Sequence, residues 1–132
     1  MLKKISVATH NRVELVDITS QVRQALKESG VRSGICTIFV SHTTAGVTIN
    51  ENADPDVKTD IIKELNKVIP FNDEYAHMEG NSAAHIKTTL TGNSETIIID
   101  NGELLLGVWQ DIYFCEYDGP RNRSCYIKIL SD

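Results

Sequence analysis

TIIIDNGELLLGVWQDIYFCEYDGPRNRSCYIKIL, residues 96–130, decides the fold class. It holds four strand-like runs and no helical one. Thr96 to Asp100, Glu103 to Leu106, Val108 to Tyr117 and Ser124 to Leu130 are rich in branched and aromatic residues, the types that suit a pleated, half-buried surface. Asn101-Gly102 and Asp118-Gly119-Pro120 punctuate them with ordinary turn chemistry. Four strands in succession, with no helix between them, predict an antiparallel meander rather than a regular βαβ alternation.

Upstream, strands and helices mix. Leu2 to Ala8 alternates, and Val13 to Ile18 follows after Asn11-Arg12, a pattern that predicts a hairpin. Thr19 offers an N-cap to a first helix carrying Val22, Ala25 and Leu26, and Gly30 stands where a left-handed C-cap belongs. Gly34 to Ser41 is the most strongly β segment, and Val47 to Asn50 is a further short strand. Asp54-Pro55 reads as N-cap and first helical residue, because proline's missing N–H costs nothing there. Val57, Ile61, Ile62, Leu65, Val68 and Ile69 then form an apolar stripe that stops at Pro70. Asn81 or Ser82 caps a third helix ended by Gly92. Antiparallel strands with three helices make an α+β protein, and the 132 residues suit a single domain, 1–132.

Composition narrows the function. Hydrophobic residues at 41% supply an ordinary core, and the net charge is −5 with no Lys/Arg run. That balance argues against nucleic-acid binding, which needs clustered cations to neutralise phosphates. No apolar run approaches the roughly 20 residues that span a bilayer, and the opening segment is too polar for a signal peptide, so no membrane partner and a cytoplasmic location are expected. Cys36, Cys115 and Cys125 are odd in number and form no CxxC pair. They read as small buried hydrophobes of a reducing compartment, not as a disulfide framework or nucleophiles.

The remaining chemistry concentrates at element ends. Cys36, Ile38, Val40 and His42 share one side of a strand, so His42 continues an apolar line and emerges at its end, ahead of Thr43-Thr44. A buried histidine satisfied by backbone competes with a functional reading there. Glu51 and Asp54 flank the second helix, where Asp54 already has a capping role. In EYAHMEGNSAAH, residues 74–85, His77 and His85 straddle a helix start whose free N–H groups and small residues admit an anion. The spacing is not HExxH, but ligands from separate elements can converge, which makes His42, His77 and His85 a candidate set for a divalent metal, zinc or magnesium. Gln110 lies at one end of a strand, and Arg121 follows a turn where its planar fork suits a phosphate or carboxylate. A surface arginine paired with Asp118 is the plainer reading of Arg121.

HTTAGVTINENADPDV, HMEGNSAAHIK and LLLGVWQDIYFCEYDGPR, in that order, resemble the YjbQ-like family, whose members are often labelled secondary thiamine-phosphate synthases. The resemblance implies a compact domain with a β-sandwich-like sheet pair, assembled as a homotrimer. It implies a polar cluster that maps to His42, Thr43, Thr44, Glu51, His77, Asn81, His85, Gln110 and Arg121. It also implies a transferase that joins a pyrimidine diphosphate to a thiazole phosphate. In that reading His42, Glu51, His77, His85 and Gln110 are catalytic, and Thr43, Thr44, Asn81 and Arg121 hold a small phosphorylated molecule. The alternative is a non-catalytic trimeric module that binds a metal or a small anion through the same residues.

Overall fold

The computed structural model describes all of residues 1–132. Eight strands and three helices follow in the order β1 (Leu2–Ala8), β2 (Glu14–Asp17), α1 (Thr19–Ser29), β3 (Gly34–Phe39), β4 (Ala45–Glu51), α2 (Pro55–Val68), α3 (Ser82–Thr91), β5 (Ser94–Asp100), β6 (Glu103–Leu104), β7 (Gln110–Glu116) and β8 (Asn122–Ser131). They form two antiparallel sheets: five strands ordered β1-β8-β3-β5-β6, and three ordered β2-β7-β4. The α+β class with sandwich-like sheets and three helices is what the chain adopts.

Two pairings differ from the expectation. Only β5 and β6 are neighbours among the last four strands; β7 joins the smaller sheet, and β8 inserts between β1 and β3. The meander is therefore absent. Nor do β1 and β2 form a hairpin: β1 pairs with β8 and β2 with β7. The chain changes sheets at every step but one: only β5 and β6 follow each other within the same sheet. Alternation along a strand reports which side is buried, but it does not name the partner strand.

The inner faces of the two sheets enclose the main core. Cys36, Ile38, Ile97, Ile127 and Ile129 from the larger sheet meet Val47, Ile112 and Phe114 from the smaller one, and Val22 and Leu26 of α1 join them. Helices α2 and α3 cover the other side of the smaller sheet, where Leu15, Tyr113, Cys115, Tyr117 and Ala84 are buried. The α2 stripe through Ile61, Ile62 and Leu65 is only partly buried against this second cluster, and Val68 is exposed. The close seat of α3 requires Gly46, because a Cβ there would lie 2.4 Å from the Gly92 carbonyl oxygen. The outer side of the larger sheet carries no helix and exposes Leu2, Ile35, Phe39, Ile98 and Leu130.

The caps follow local chemistry in part. Asp54 caps α2 by accepting from the Asp56 N–H at 2.9 Å, and Gly30 ends α1 at φ 70°. Thr19 does not cap α1. Its hydroxyl accepts from the Ile112 N–H at 2.8 Å, while Asp17 accepts from the Thr19 N–H at 2.9 Å. The three cysteines are free and buried, as expected of small apolar side chains. Burial pushes the Cys36 thiol up to about 11 and those of Cys115 and Cys125 to about 12, which suppresses thiolate chemistry. No helix is long and apolar enough to cross a membrane.

Candidate functional site

Three segments meet where β4 begins and β7 ends: the Thr43-Thr44 loop, the His77–His85 segment leading into α3, and the turn from Asp118 to Arg121. Between them lies a cleft of about 320 Å³ with no hydrophobic residue in its lining. Thr43, Thr44, His77, Asn81, His85 and Arg121, six of the residues expected at a site, all line it. Glu79, Asp118 and Arg123 line it as well.

The cleft rests on a buried ion pair. Arg123 Nε donates to Glu116 Oε1 at 2.9 Å and Nη2 to Oε2 at 2.5 Å. The two side chains are 6% and 0% exposed, so neither charge is paired by solvent. Arg123 Nη2 also donates to the Thr44 hydroxyl at 2.9 Å, and Thr9 Oγ1 donates to Glu116 Oε1 at 2.7 Å. The Asp118 N–H completes the carboxylate's shell at 3.0 Å. Burial alone would raise the Glu116 carboxyl, but the Arg123 guanidinium, the Asp118 N–H and the Thr9 hydroxyl hold it below the ordinary value.

A second, open pair stands two residues away. Arg121 Nη2 donates to Asp118 Oδ2 at 2.9 Å, and its Nε donates to the Asp118 carbonyl at 2.7 Å. The plain reading of Arg121, a pair with Asp118, therefore holds, yet half of the side chain remains exposed on the cleft. Nη1 of neither arginine has a protein partner. The Arg121 backbone is pinned: its N–H donates to Thr9 Oγ1 at 2.8 Å. Gly119 is required in this turn, because a Cβ would lie 2.3 Å from the Asn11 carbonyl oxygen.

Across the cleft, the His77 and His85 rings meet edge to face with centroids 5.4 Å apart. Glu79 Oε2 lies 3.9 Å from His77 Nε2. Asn81 does not cap α3 through its side chain. Its Nδ2 donates instead to Asp118 Oδ2 at 2.9 Å, and Oδ1 is buried without a partner. The Thr43-Thr44 loop is held by Asn93, whose Nδ2 reaches the carbonyls of Val40 and His42 at 3.0 Å each and of Ala45 at 3.3 Å.

Three expected residues lie elsewhere. His42 does extend the apolar line of β3, packing edge-on to Phe114 with centroids 6.5 Å apart, but its Nε2 is taken up by the Ser124 backbone at 3.1 Å. The backbone-satisfied alternative describes it. Burial lowers its pKa, and the nearby Arg123 adds to this. Glu51 and Gln110 face each other at the far end of the β4–β7 ladder, which begins with Ala45 opposite Glu116. Six residues of strand separate them from the cleft, a span of about 20 Å. Gln110 Oε1 accepts from the Gly107 N–H at 2.7 Å, closing a turn. Of the three histidines only His77 and His85 face each other, and no three His, Cys, Asp or Glu side chains of the chain are grouped as metal ligands.

The chain as a whole is similar to known proteins. The model of the family described as UPF0047 protein YjbQ-like matches residues 3–132. The chain belongs to the YjbQ-like family. It is 53% identical to the UPF0047 protein YugU of Bacillus subtilis, with 98% of this chain and 99% of the relative covered. It is 57% identical to the UPF0047 protein MJ1081 of Methanocaldococcus jannaschii, with 100% and 96% covered. Among solved structures, the YjbQ/UPF0047 protein of Clostridium acetobutylicum superposes with a TM-score of 0.96 at 54% identity, over 97% of this chain and 99% of that one. A Sulfolobus solfataricus protein does so with a TM-score of 0.96 at 35% identity, over 100% and 97%.

These relatives overturn one expectation. They carry family designations without an activity, and the Sulfolobus solfataricus protein is described as being of unknown function. Nothing among them supports a thiamine-phosphate synthase, and that transferase reading is set aside.

Proposed function

We propose that the cleft at the start of α3 binds a small phosphorylated molecule. The observation that carries this reading is a wholly polar cleft with two arginines on one wall and two facing imidazoles on the other. Phosphate oxygens need several converging donors, and guanidinium forks and imidazoles supply them. Glu116 and Asp118 already fix the two arginines, so little side-chain ordering is left for the ligand to impose. Glu79 and Asp118 also line the cleft and disfavour bare polyanions, which supports a ligand with hydroxyl or amine donors beside its phosphate. The buried, unpartnered Asn81 Oδ1 is an acceptor suited to such a donor.

Titration calorimetry with inorganic phosphate and glycerol phosphate tests the reading. Both ligands should bind the wild-type protein, glycerol phosphate more tightly, and His85→Ala and Arg121→Ala should each weaken binding at least about tenfold. Equal binding by folded variants, or no heat from either ligand at millimolar concentration, contradicts it.

Assembly as a homotrimer is part of the same proposal. The uncovered side of the larger sheet, with Leu2, Ile35, Phe39, Ile98 and Leu130 exposed, supports association of copies, since exposed apolar surface marks interaction sites. Light scattering should give three times 14.7 kDa, and Phe39→Lys should lower that mass. A wild-type monomer at micromolar concentration contradicts it. The free, buried cysteines support a cytoplasmic location.

A further inference from the structure

Helix α3 borders a second cleft. His85 lies on the polar cleft described above, and Lys87, two residues on and about 200° around the helix, lines another. This second cleft has a volume of about 330 Å³ and lies between α3, α2 and the segment leading into β2. Its lining differs in kind. Val13, Ile62 and Phe71 give it apolar walls, and Arg12 and Lys87 are its charged residues. No carboxylate lines it.

Lys87 is the unusual member. The residue is only 2% exposed, and its ammonium makes one hydrogen bond, to Asn66 Oδ1 at 2.6 Å. An ammonium has three donors, and a buried one is ordinarily paired with a carboxylate. No Asp or Glu forms a salt bridge with it. Burial accordingly pushes its pKa down. Arg12 stands on the rim of the same cleft, its guanidinium 3.8 Å from the Phe71 ring centroid. A buried cation without a counter-charge is costly, and an anionic group brought by a ligand would offset that cost.

We propose that this cleft is a second ligand site, taking a small organic anion whose carboxylate or phosphate lies between Lys87 and Arg12 and whose apolar body rests on Val13, Ile62 and Phe71. The proposal stands apart from the polar cleft, because the two share no lining residue.

The test is an NMR titration of the full chain with benzoate, phenyl phosphate and inorganic phosphate. Benzoate, phenyl phosphate or both should shift the Asn66 side-chain amide and the Lys87 Nζ-linked resonances without moving the His77 or His85 rings in the benzoate arm. The arm that binds more tightly assigns carboxylate or phosphate. Lys87→Met keeps the length of the side chain and removes the charge, and it should weaken that binding at least tenfold. Arg12→Gln, at an exposed position, should weaken it severalfold and serves if Lys87→Met does not fold. No shift at Asn66 and Lys87 with either organic anion at millimolar concentration overturns the proposal. So does unchanged affinity in a folded Lys87→Met or Arg12→Gln protein. Movement of His77 and His85 with inorganic phosphate reports on the polar cleft alone, so the two readings fail separately.

Discussion

Arg121 and Arg123 stand two residues apart, each paired with an acid, and both border the polar cleft. Their pairs differ in what surrounds them. Arg123–Glu116 is closed off from solvent and saturated by Thr9, Thr44 and the Asp118 N–H. Arg121–Asp118 is open, and Arg121 is half exposed. The same charges therefore take on different work. The buried pair ties β7, β8 and the Thr44 loop into one frame, and the open pair presents a guanidinium that a ligand can reach.

The sharpest way to break this contrast is to remove the buried arginine. Arg123→Ala leaves the Glu116 charge enclosed without a partner and should cost about 3–5 kcal/mol in urea unfolding. A loss below about 1 kcal/mol would place both arginines in the same class. Acid probes the same pair without a mutation. Glu116 has its pKa lowered below 4.5 in the folded state, so its contribution is complete above that value and disappears as pH falls through the folded pKa. Stability measured downward from pH 5 should drop for the wild type and less steeply for Glu116→Gln.

Thr9 couples the two arginines, donating to Glu116 Oε1 and accepting from the Arg121 N–H. Thr9→Val removes both bonds at nearly constant volume and should cost about 1–3 kcal/mol. Arg121→Ala is the counterpart. An exposed pair contributes about 0–1 kcal/mol, so the melting temperature should barely move while phosphate binding falls. The smallest effect belongs to His42. Burial lowers its pKa from 6.5, so the neutral form stabilises the fold above that pH and the contribution fades as pH falls through the folded pKa. His42→Gln should flatten a shallow slope of stability against pH just below 6.5.

How much of this was legible in the sequence follows from range. His77, Asn81 and His85 sit within nine residues of one another, and the helix start that groups them is a local signal. Arg121 was legible because its turn residues, Asp118 and Gly119, adjoin it. Glu116, Arg123 and Asn93 were not, because their roles depend on which strands and loops meet, and period-two alternation is blind to partners. For the same reason succession along the chain suggests that β7 and β8 are neighbours, whereas they belong to different sheets. His42, Glu51 and Gln110 mark element ends, as expected, but the antiparallel ladder sends Glu51 and Gln110 to the opposite end from Thr44. A strand has two ends, and only the fold says which of them faces the site.

The chain's four histidines offer the most direct test of the phosphate site. Imidazole resonances of the wild-type protein, followed during a titration with glycerol phosphate at constant pH, report each ring separately. His77 and His85 should shift together along one saturating curve while His10 and His42 stay still. Stationary His77 and His85 rings at saturating ligand, or a shift confined to His42, would contradict it.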